Sequence, residues 1–269
     1  MKLDVLAIGA HPDDVELGCG GTLALLARQG RRVGILHLTR GERGTRGTAE
    51  QRLAEAENAA LALGAAELAF LDCGDGGLRT GEAEEDALIE VLRTWRPELI
   101  LAPPPDDRHP DHGRAYQLVA AAAFYSGLAA RGALGKGQTP HRPAAVFSYM
   151  QHDPFVPSFV VDVTTAWQAK LDALAAYSTQ LYQPPPDRQA PARKDTAPHP
   201  PPRRAAAAEE EEEEAPPLTK VSSREFRLAV EGRGRHFGVL VGAELGEPFW
   251  SRLPLAVADP LALLPGGVR

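Results

Sequence analysis

Short apolar runs alternate with amphipathic segments along the first 180 residues or so of this chain. The run Leu3–Ala10 is continuous, which is typical of a strand buried on both faces. Further strands are predicted at Val33–Thr39, Leu68–Leu71, Leu99–Ala102, Ala145–Met150 and Phe159–Val163. Helical spacing predicts helices at Thr22–Gln29, Glu50–Leu63, Glu82–Trp95, His112–Tyr125 and Val163–Ala176. This alternation predicts an α/β fold, a doubly wound, mostly parallel, Rossmann-like sheet flanked by helices in three layers.

The pattern changes after residue 183. Residues 184–217 are rich in Pro, Ala and Glu and nearly lack large apolar side chains, so we expect a disordered insertion. Helical signal returns at Ser222, which has capping-box spacing to Glu225, and we expect that helix to run to about Val241. The tail beyond is rich in Pro and Gly. We therefore predict one domain formed by residues 1–183 plus 218–269.

Composition narrows the class of protein. The 269 residues are 43% hydrophobic, which suffices for a sizeable core, and the net charge of −7 argues against nucleic acid or an anionic membrane as partner. No stretch approaches the roughly 20 apolar residues of a membrane span. Cys19 and Cys73 form no CxxC pattern, so a disulfide framework is not expected. A cytoplasmic location is the expectation.

Two His- and Asp-containing clusters close predicted strands. Ala10-His11-Pro12-Asp13-Asp14 follows the first strand, and His109-Pro110-Asp111-His112 follows a later one. Taken alone, either cluster also fits a polar turn before a helix. Together, at the carboxyl ends of parallel strands, they predict a shared site. Two imidazoles and one carboxylate are a common ligand set for a hydrolytic zinc ion, which points to a metal-dependent hydrolase.

Two glycine-rich segments offer further candidate chemistry. In Gly41–Thr48, the guanidinium groups of Arg43 and Arg46 fit an anionic substrate group, although a flexible loop with solvated arginines is an equal alternative. Gly18–Gly21 does not make the G-x-G-x-x-G pattern of a dinucleotide site. Cys19 within it is interpreted as a packing residue.

The paired clusters resemble the PIG-L/LmbE-like family of zinc-dependent N-acetylglucosamine deacetylases. Three stretches, 41–48, 151–159 and 222–226, are similar to its bacillithiol-biosynthesis branch, which removes acetate from N-acetylglucosaminyl malate. Relatives act on several GlcNAc conjugates and on chitin fragments, so deacetylation of another conjugate is the alternative. A thiol-conjugate amidase and a non-enzymatic nucleotide- or sugar-binding module are the remaining rivals.

The resemblance also implies roles for individual residues. It implies one Zn²⁺ per chain, with iron or cobalt as other metals that fill such sites, and a homo-oligomer, with a hexamer as one form. It implies that Asp13 is the general base, that His109 stabilises the oxyanion or protonates the leaving amine, and that Asp111 orients His109. Some relatives have Tyr where this chain has Asp107, and Arg108 is the candidate replacement. The implied metal ligands are His11, Asp14 and His112, and the implied substrate-binding residues are Arg43, Arg46, Arg108 and His152.

Overall fold

The computed structural model describes residues 2–131, 138–183 and 217–260. The predicted insertion at 184–217 lies outside these residues except for Pro217. The strands are β1 Val5–Gly9, β2 Val33–His37, β3 Glu67–Phe70, β4 Leu99–Ala102, β5 Ala145–Tyr149, β6 Phe159–Asp162 and β7 Gly246–Ser251. The helices are α1 Asp14–Arg28, α2 Ala49–Leu63, α3 Glu82–Trp95, α4 Pro110–Tyr125, α5 Trp167–Ala176 and α6 Arg224–Leu240, with a 3₁₀ turn at Thr164–Ala166.

The described strands form a seven-stranded sheet in the order β3-β2-β1-β4-β5-β7-β6. The first five strands are parallel, and β7 runs antiparallel to both β5 and β6. Alternate side chains of β1 enter two separate cores: Val5 and Ala7 pack with α1, α2 and α5, whereas Leu6 and Ile8 pack with α3 and α4. This confirms the predicted three-layer, mostly parallel α/β fold.

Three sequence predictions are wrong in detail. Helix α1 begins at Asp14 rather than Thr22, because the glycine-rich segment lies within it, with a kink at Cys19, despite its low helix propensity. Close packing accounts for it: a Cβ at Gly18 would lie 2.1 Å from the Tyr149 ring. The α6 cap is Ser223, whose hydroxyl accepts from the Phe226 N–H, instead of Ser222. Strand β7 lies in the tail for which no strand was predicted.

No helix among the described residues is long and apolar enough to cross a membrane.

Candidate active site

The two predicted clusters meet at the carboxyl edge of the parallel strands. Neighbouring strands β1 and β4 lie where the sheet order reverses, the position at which doubly wound sheets form a crevice. The turn after β1 carries His11 and Asp13 and leads into Asp14 at the start of α1. The loop after β4 carries His109 and leads into His112 in the first turn of α4. The connections after β2, β3 and β5 reach the same edge, so the ends of five strands contribute to one cavity of about 250 Å³.

Asp14 lies between two imidazoles. One carboxylate oxygen is 3.5 Å from His11 Nδ1, and the other is 3.3 Å from His112 Nε2. Burial alone would raise the pKa of Asp14, but the charge of His112 and the hydrogen bonds to both histidines outweigh it and hold that pKa well below the ordinary value. Gln151 Nε2 also donates to Asp14 at 2.5 Å. The structure thus brings together His11, Asp14 and His112, as their implied role as metal ligands requires.

The other ring nitrogen of each of these histidines meets a carboxylate. His11 Nε2 lies 3.2 Å from Asp75 Oδ1 and 3.3 Å from Asp111 Oδ2. His112 Nδ1 contacts the Asp107 carboxylate, which also accepts the backbone N–H groups of residues 152 and 153. Carboxylates on the far nitrogen fix the tautomer and orientation of metal-ligating histidines. The donor set therefore fits a zinc ion bound on the Asp14 side of both rings.

His109 immediately precedes α4, as its N-cap residue, and lines the cavity. Its Nδ1 accepts the backbone N–H of Asp111 at 3.2 Å, so in the neutral ring the proton is on Nε2. Burial, and then the neighbouring charges of His11 and His112, lower its pKa. His109, His11 and His112 also offer ring nitrogens within 4.8 Å of one another, so His109 is an alternative third metal ligand to Asp14.

Asp13 has properties suited to a general base. Its side chain lines the cavity, and burial raises its pKa to about 7, although the charge of Arg52 opposes the shift. The Arg52 guanidinium nitrogen lies 3.8 Å from the Asp13 carboxylate. A base is most effective when its pKa is close to the working pH. Asp13 therefore has the proton affinity that water activation near neutral pH needs.

The predicted substrate-binding residues divide into two groups. Arg43, Arg108 and His152 line the cavity, and the His152 ring stacks on His112 with centroids 5.7 Å apart. Burial lowers the pKa of His152 to about 4, which keeps that ring neutral. Arg46 does not line the cavity. Its guanidinium donates instead to the carbonyl oxygens of Thr179, at 2.6 Å, and Pro217, at 3.2 Å.

The Asp111 carboxylate, expected to orient His109, faces other groups in this structure. Asp111 lies in the first turn of α4, where its backbone N–H faces His109 while its carboxylate turns toward His11 and the backbone N–H of Leu78. Asp111 thus orients the metal-ligand candidate His11.

Four residues with evident roles were not identified as such from the sequence. In the sequence, Asp107 stands out only as a departure from a tyrosine, and Gln151 only as part of a stretch similar to the family. Asp75 follows β3, so its position at a strand end was the available signal. Arg52 lies inside α2, where nothing in the sequence distinguishes it from a solvated helix residue. The four are Arg52, Asp75, Asp107 and Gln151.

Comparisons with known proteins agree with this geometry. Residues 6–123 match the family model PIG-L, described as GlcNAc-PI de-N-acetylase. The chain is 34% identical over 189 residues to diacetylchitobiose deacetylase of Thermococcus kodakarensis, covering 66% of this chain and 70% of that protein. It is 29% identical over 234 residues to 1D-myo-inositol 2-acetamido-2-deoxy-alpha-D-glucopyranoside deacetylase 1 of Saccharopolyspora erythraea, covering 66% and 77%.

A solved structure extends the likeness to nearly the whole fold. A conserved protein of Thermus thermophilus superimposes with a TM-score of 0.77 at 32% identity, over 96% of this chain and 98% of that one. Because the family model covers both His- and Asp-containing clusters and the first relative is similar over most of its length, the chain belongs to the PIG-L family of deacetylases.

Proposed function

We propose that this chain hydrolyses the acetamide group of an N-acetylglucosamine conjugate, using one zinc ion held by His11, Asp14 and His112. The observation that carries the proposal is the arrangement around Asp14: its carboxylate faces both imidazoles, and Asp13, with its raised pKa, lies beside it in the same cavity. When bound, zinc would polarise the acetamide carbonyl and lower the pKa of a bound water.

The residues of the chain account for the proton transfers. Asp13 takes a proton from the attacking water as its oxygen bonds to the carbonyl carbon. His109, with its proton on Nε2, donates a hydrogen bond to the developing oxyanion, and the proton that Asp13 has taken passes to the leaving nitrogen. The C–N bond then breaks, and the products are acetate and a free amine.

Substrate identity is the finer part of the proposal. The relatives act on diacetylchitobiose and on a GlcNAc-inositol, and both substrates carry the acetamide. We favour N-acetylglucosaminyl malate, as in bacillithiol biosynthesis, because Arg43 and Arg108 border the cavity and guanidinium groups suit carboxylates. Another GlcNAc conjugate or a chitooligosaccharide is the alternative.

The test is acetate release from three substrates: N-acetylglucosaminyl malate, diacetylchitobiose and the GlcNAc-inositol conjugate. Zinc-loaded protein is compared with chelator-treated protein, and iron- and cobalt-loaded samples identify the preferred metal. Metal-dependent release is expected, fastest with the malate conjugate, and Arg43→Gln and Arg108→Gln should each reduce that preference. Stoichiometric zinc without release from any substrate would contradict the proposal and favour a binding module or an amidase.

The ligand assignment has its own control. His112→Ala should lose zinc, whereas His109→Ala should keep zinc and lose turnover. Loss of zinc from His109→Ala together with retention in Asp14→Ala would instead assign the triplet His11, His109 and His112. We further propose that the chain forms a homo-oligomer in the cytoplasm, which light scattering on the purified protein tests. Its partner is a small-molecule substrate rather than nucleic acid or a membrane.

A further inference from the structure

The turn after β1 is held by an unusual series of hydrogen bonds. Four consecutive carbonyl oxygens, those of residues 9–12, each accept from a donor outside the turn. The donors are Leu38 N to Gly9 O at 2.9 Å, Thr39 Oγ1 to Ala10 O at 2.9 Å, His37 Nδ1 to His11 O at 3.1 Å and Arg52 Nη2 to Pro12 O at 2.8 Å. The first three come from the end of β2 and the residues that follow it.

This turn adopts a conformation that its sequence does not favour. Asp13 has φ 103° and ψ −24°, in the left-handed region that non-glycine residues rarely occupy. Such a conformation persists only where surrounding contacts impose it, and it is common at functional sites. The conformation is what directs the Asp13 carboxylate into the cavity immediately before the helix that begins with Asp14.

His37 is the least expected of the four donors. It is fully buried, its ring packs on Phe70 with centroids 5.3 Å apart, and its Nε2 has no hydrogen-bond partner among the described residues. A carbonyl oxygen only accepts, so Nδ1 must carry the proton. A Cβ at Gly9 would come within 3.2 Å of that nitrogen, which shows how closely β1 and β2 approach here.

We propose that His37 and Thr39 are positioning residues for the active-site turn. Neither lines the cavity, so neither touches substrate. His37 ends β2 and Thr39 lies in the bend that follows, and both side chains reach the turn after β1. Their single task is to hold the carbonyl groups of Ala10 and His11, and thereby the imidazole of His11 and the left-handed backbone of Asp13. The inference rests on the proposed function, because its catalytic readout is acetate release.

Two matched pairs of variants test the donors. His37→Asn keeps an N–H donor at the same number of bonds from Cβ as Nδ1, whereas His37→Phe keeps the ring and its contact with Phe70 but removes the donor. Thr39→Ser keeps the hydroxyl, whereas Thr39→Val keeps the shape. We expect His37→Phe and Thr39→Val each to lower kcat and zinc affinity about 10- to 100-fold, the range typical for residues that orient metal ligands. KM should stay within about twofold, and the Asn and Ser variants within about threefold of the parent in all three quantities.

Equal losses in both members of a pair would overturn the inference, because packing rather than hydrogen bonding would then be responsible. Unchanged kcat and zinc affinity in both Phe and Val variants would overturn it as well. If His37→Phe does not fold, His37→Gln replaces it, since its amide reaches the Nε2 position and should not rescue. Zinc affinity is measured by chelator competition without substrate, so it decides the inference even if the parent protein releases no acetate.

Discussion

Replacing Asp13 by Asn should separate turnover from metal binding. Asn keeps the size of the side chain but cannot accept a proton, so we expect kcat to fall about 10²- to 10⁴-fold, the usual contribution of a general base. Zinc content should stay at that of the parent, since Asp14 and the two histidines are intact. Acetate release and metal analysis on the same samples provide the measurement.

The pH dependence follows from the raised pKa of Asp13, which is about 7 in the metal-free protein and lower when zinc adds positive charge beside it. A base must be ionised to act, so kcat/KM should fall on the acid side of neutrality, reaching about one tenth of its plateau one pH unit below that pKa. Asp13→Asn should remove this limb and leave a flat residual rate. An unchanged acid limb in the variant would assign the ionisation to another group and refute the role of Asp13.

The buried carboxylate of Asp13 should also reduce the stability of the metal-free protein. The pKa in the folded state is about 7 against 3.8 ordinarily, so the folded state binds the proton more tightly than the unfolded chain. Stability is therefore lost as the pH rises from about 4 to 7. The full pKa shift corresponds to a loss of about 4 kcal/mol in the free energy of unfolding.

Asp13→Asn removes this cost but also removes the interaction with Arg52. We therefore expect the free energy of unfolding to rise by about 1–2 kcal/mol at pH 8, or Tm by about 2–8 °C. Thermal unfolding of chelator-treated samples at pH 8 and pH 4 checks this expectation. A variant less stable than the parent at pH 8 would show that the buried charge is not costly.

Three further changes test other parts of the structure. Asp107→Asn should weaken zinc binding about 10- to 100-fold, measured by chelator competition, because His112 loses the carboxylate on its Nδ1. Arg46→Gln should reduce kcat/KM equally for anionic and neutral conjugates, because its guanidinium contacts backbone carbonyls outside the cavity; a loss confined to the malate conjugate would restore it as a substrate ligand. Lys170→Met should cost about 3–5 kcal/mol in urea unfolding, because it leaves buried Glu247 without the cation 2.5 Å away.

Matched controls accompany these variants. Asp106→Asn changes an exposed carboxylate beside Asp107 and should leave zinc affinity unchanged. The double variant Lys170→Met with Glu247→Gln should recover part of the stability lost by the single change, since the uncompensated charge is removed. If the double variant is as unstable as the sum of the single variants, the pair does not interact as described.

Local patterns predicted much of the fold. Helix α3 was predicted at its observed bounds, since its apolar positions follow helical spacing and Pro97 ends the segment. Helix α1 was predicted too short, because contact with Tyr149 favours small residues that have low helix propensity. Strand β7 was missed since its sequence contains Gly246 and Pro248, and its pairing partners are 84 to 104 residues earlier in the chain.

Site residues that are set by local position could be predicted, whereas those that depend on tertiary packing could not. Residues within the two clusters could be found because consecutive positions at strand ends share one edge of the sheet. Arg52 and Asp75 reach the cavity from α2 and from the loop after β3, so their involvement depends on how these elements pack. Arg46 was expected to face the substrate, but its guanidinium turns away from the cavity. A position in a glycine-rich loop does not determine the direction of a long side chain.

The partners of Glu247 bear on how this chain folds during synthesis. Its carboxylate accepts the N–H groups of Gly21 and Thr22, 226 and 225 residues earlier, just beyond the kink of α1 at Cys19. The helix that begins with Asp14 therefore lacks this support until β7 has left the ribosome. Contacts of such long range form late and slow the folding rate. We expect a nascent chain that ends before β7 to have an unfinished active site, so catalytic competence should arise only after β7 has been synthesised.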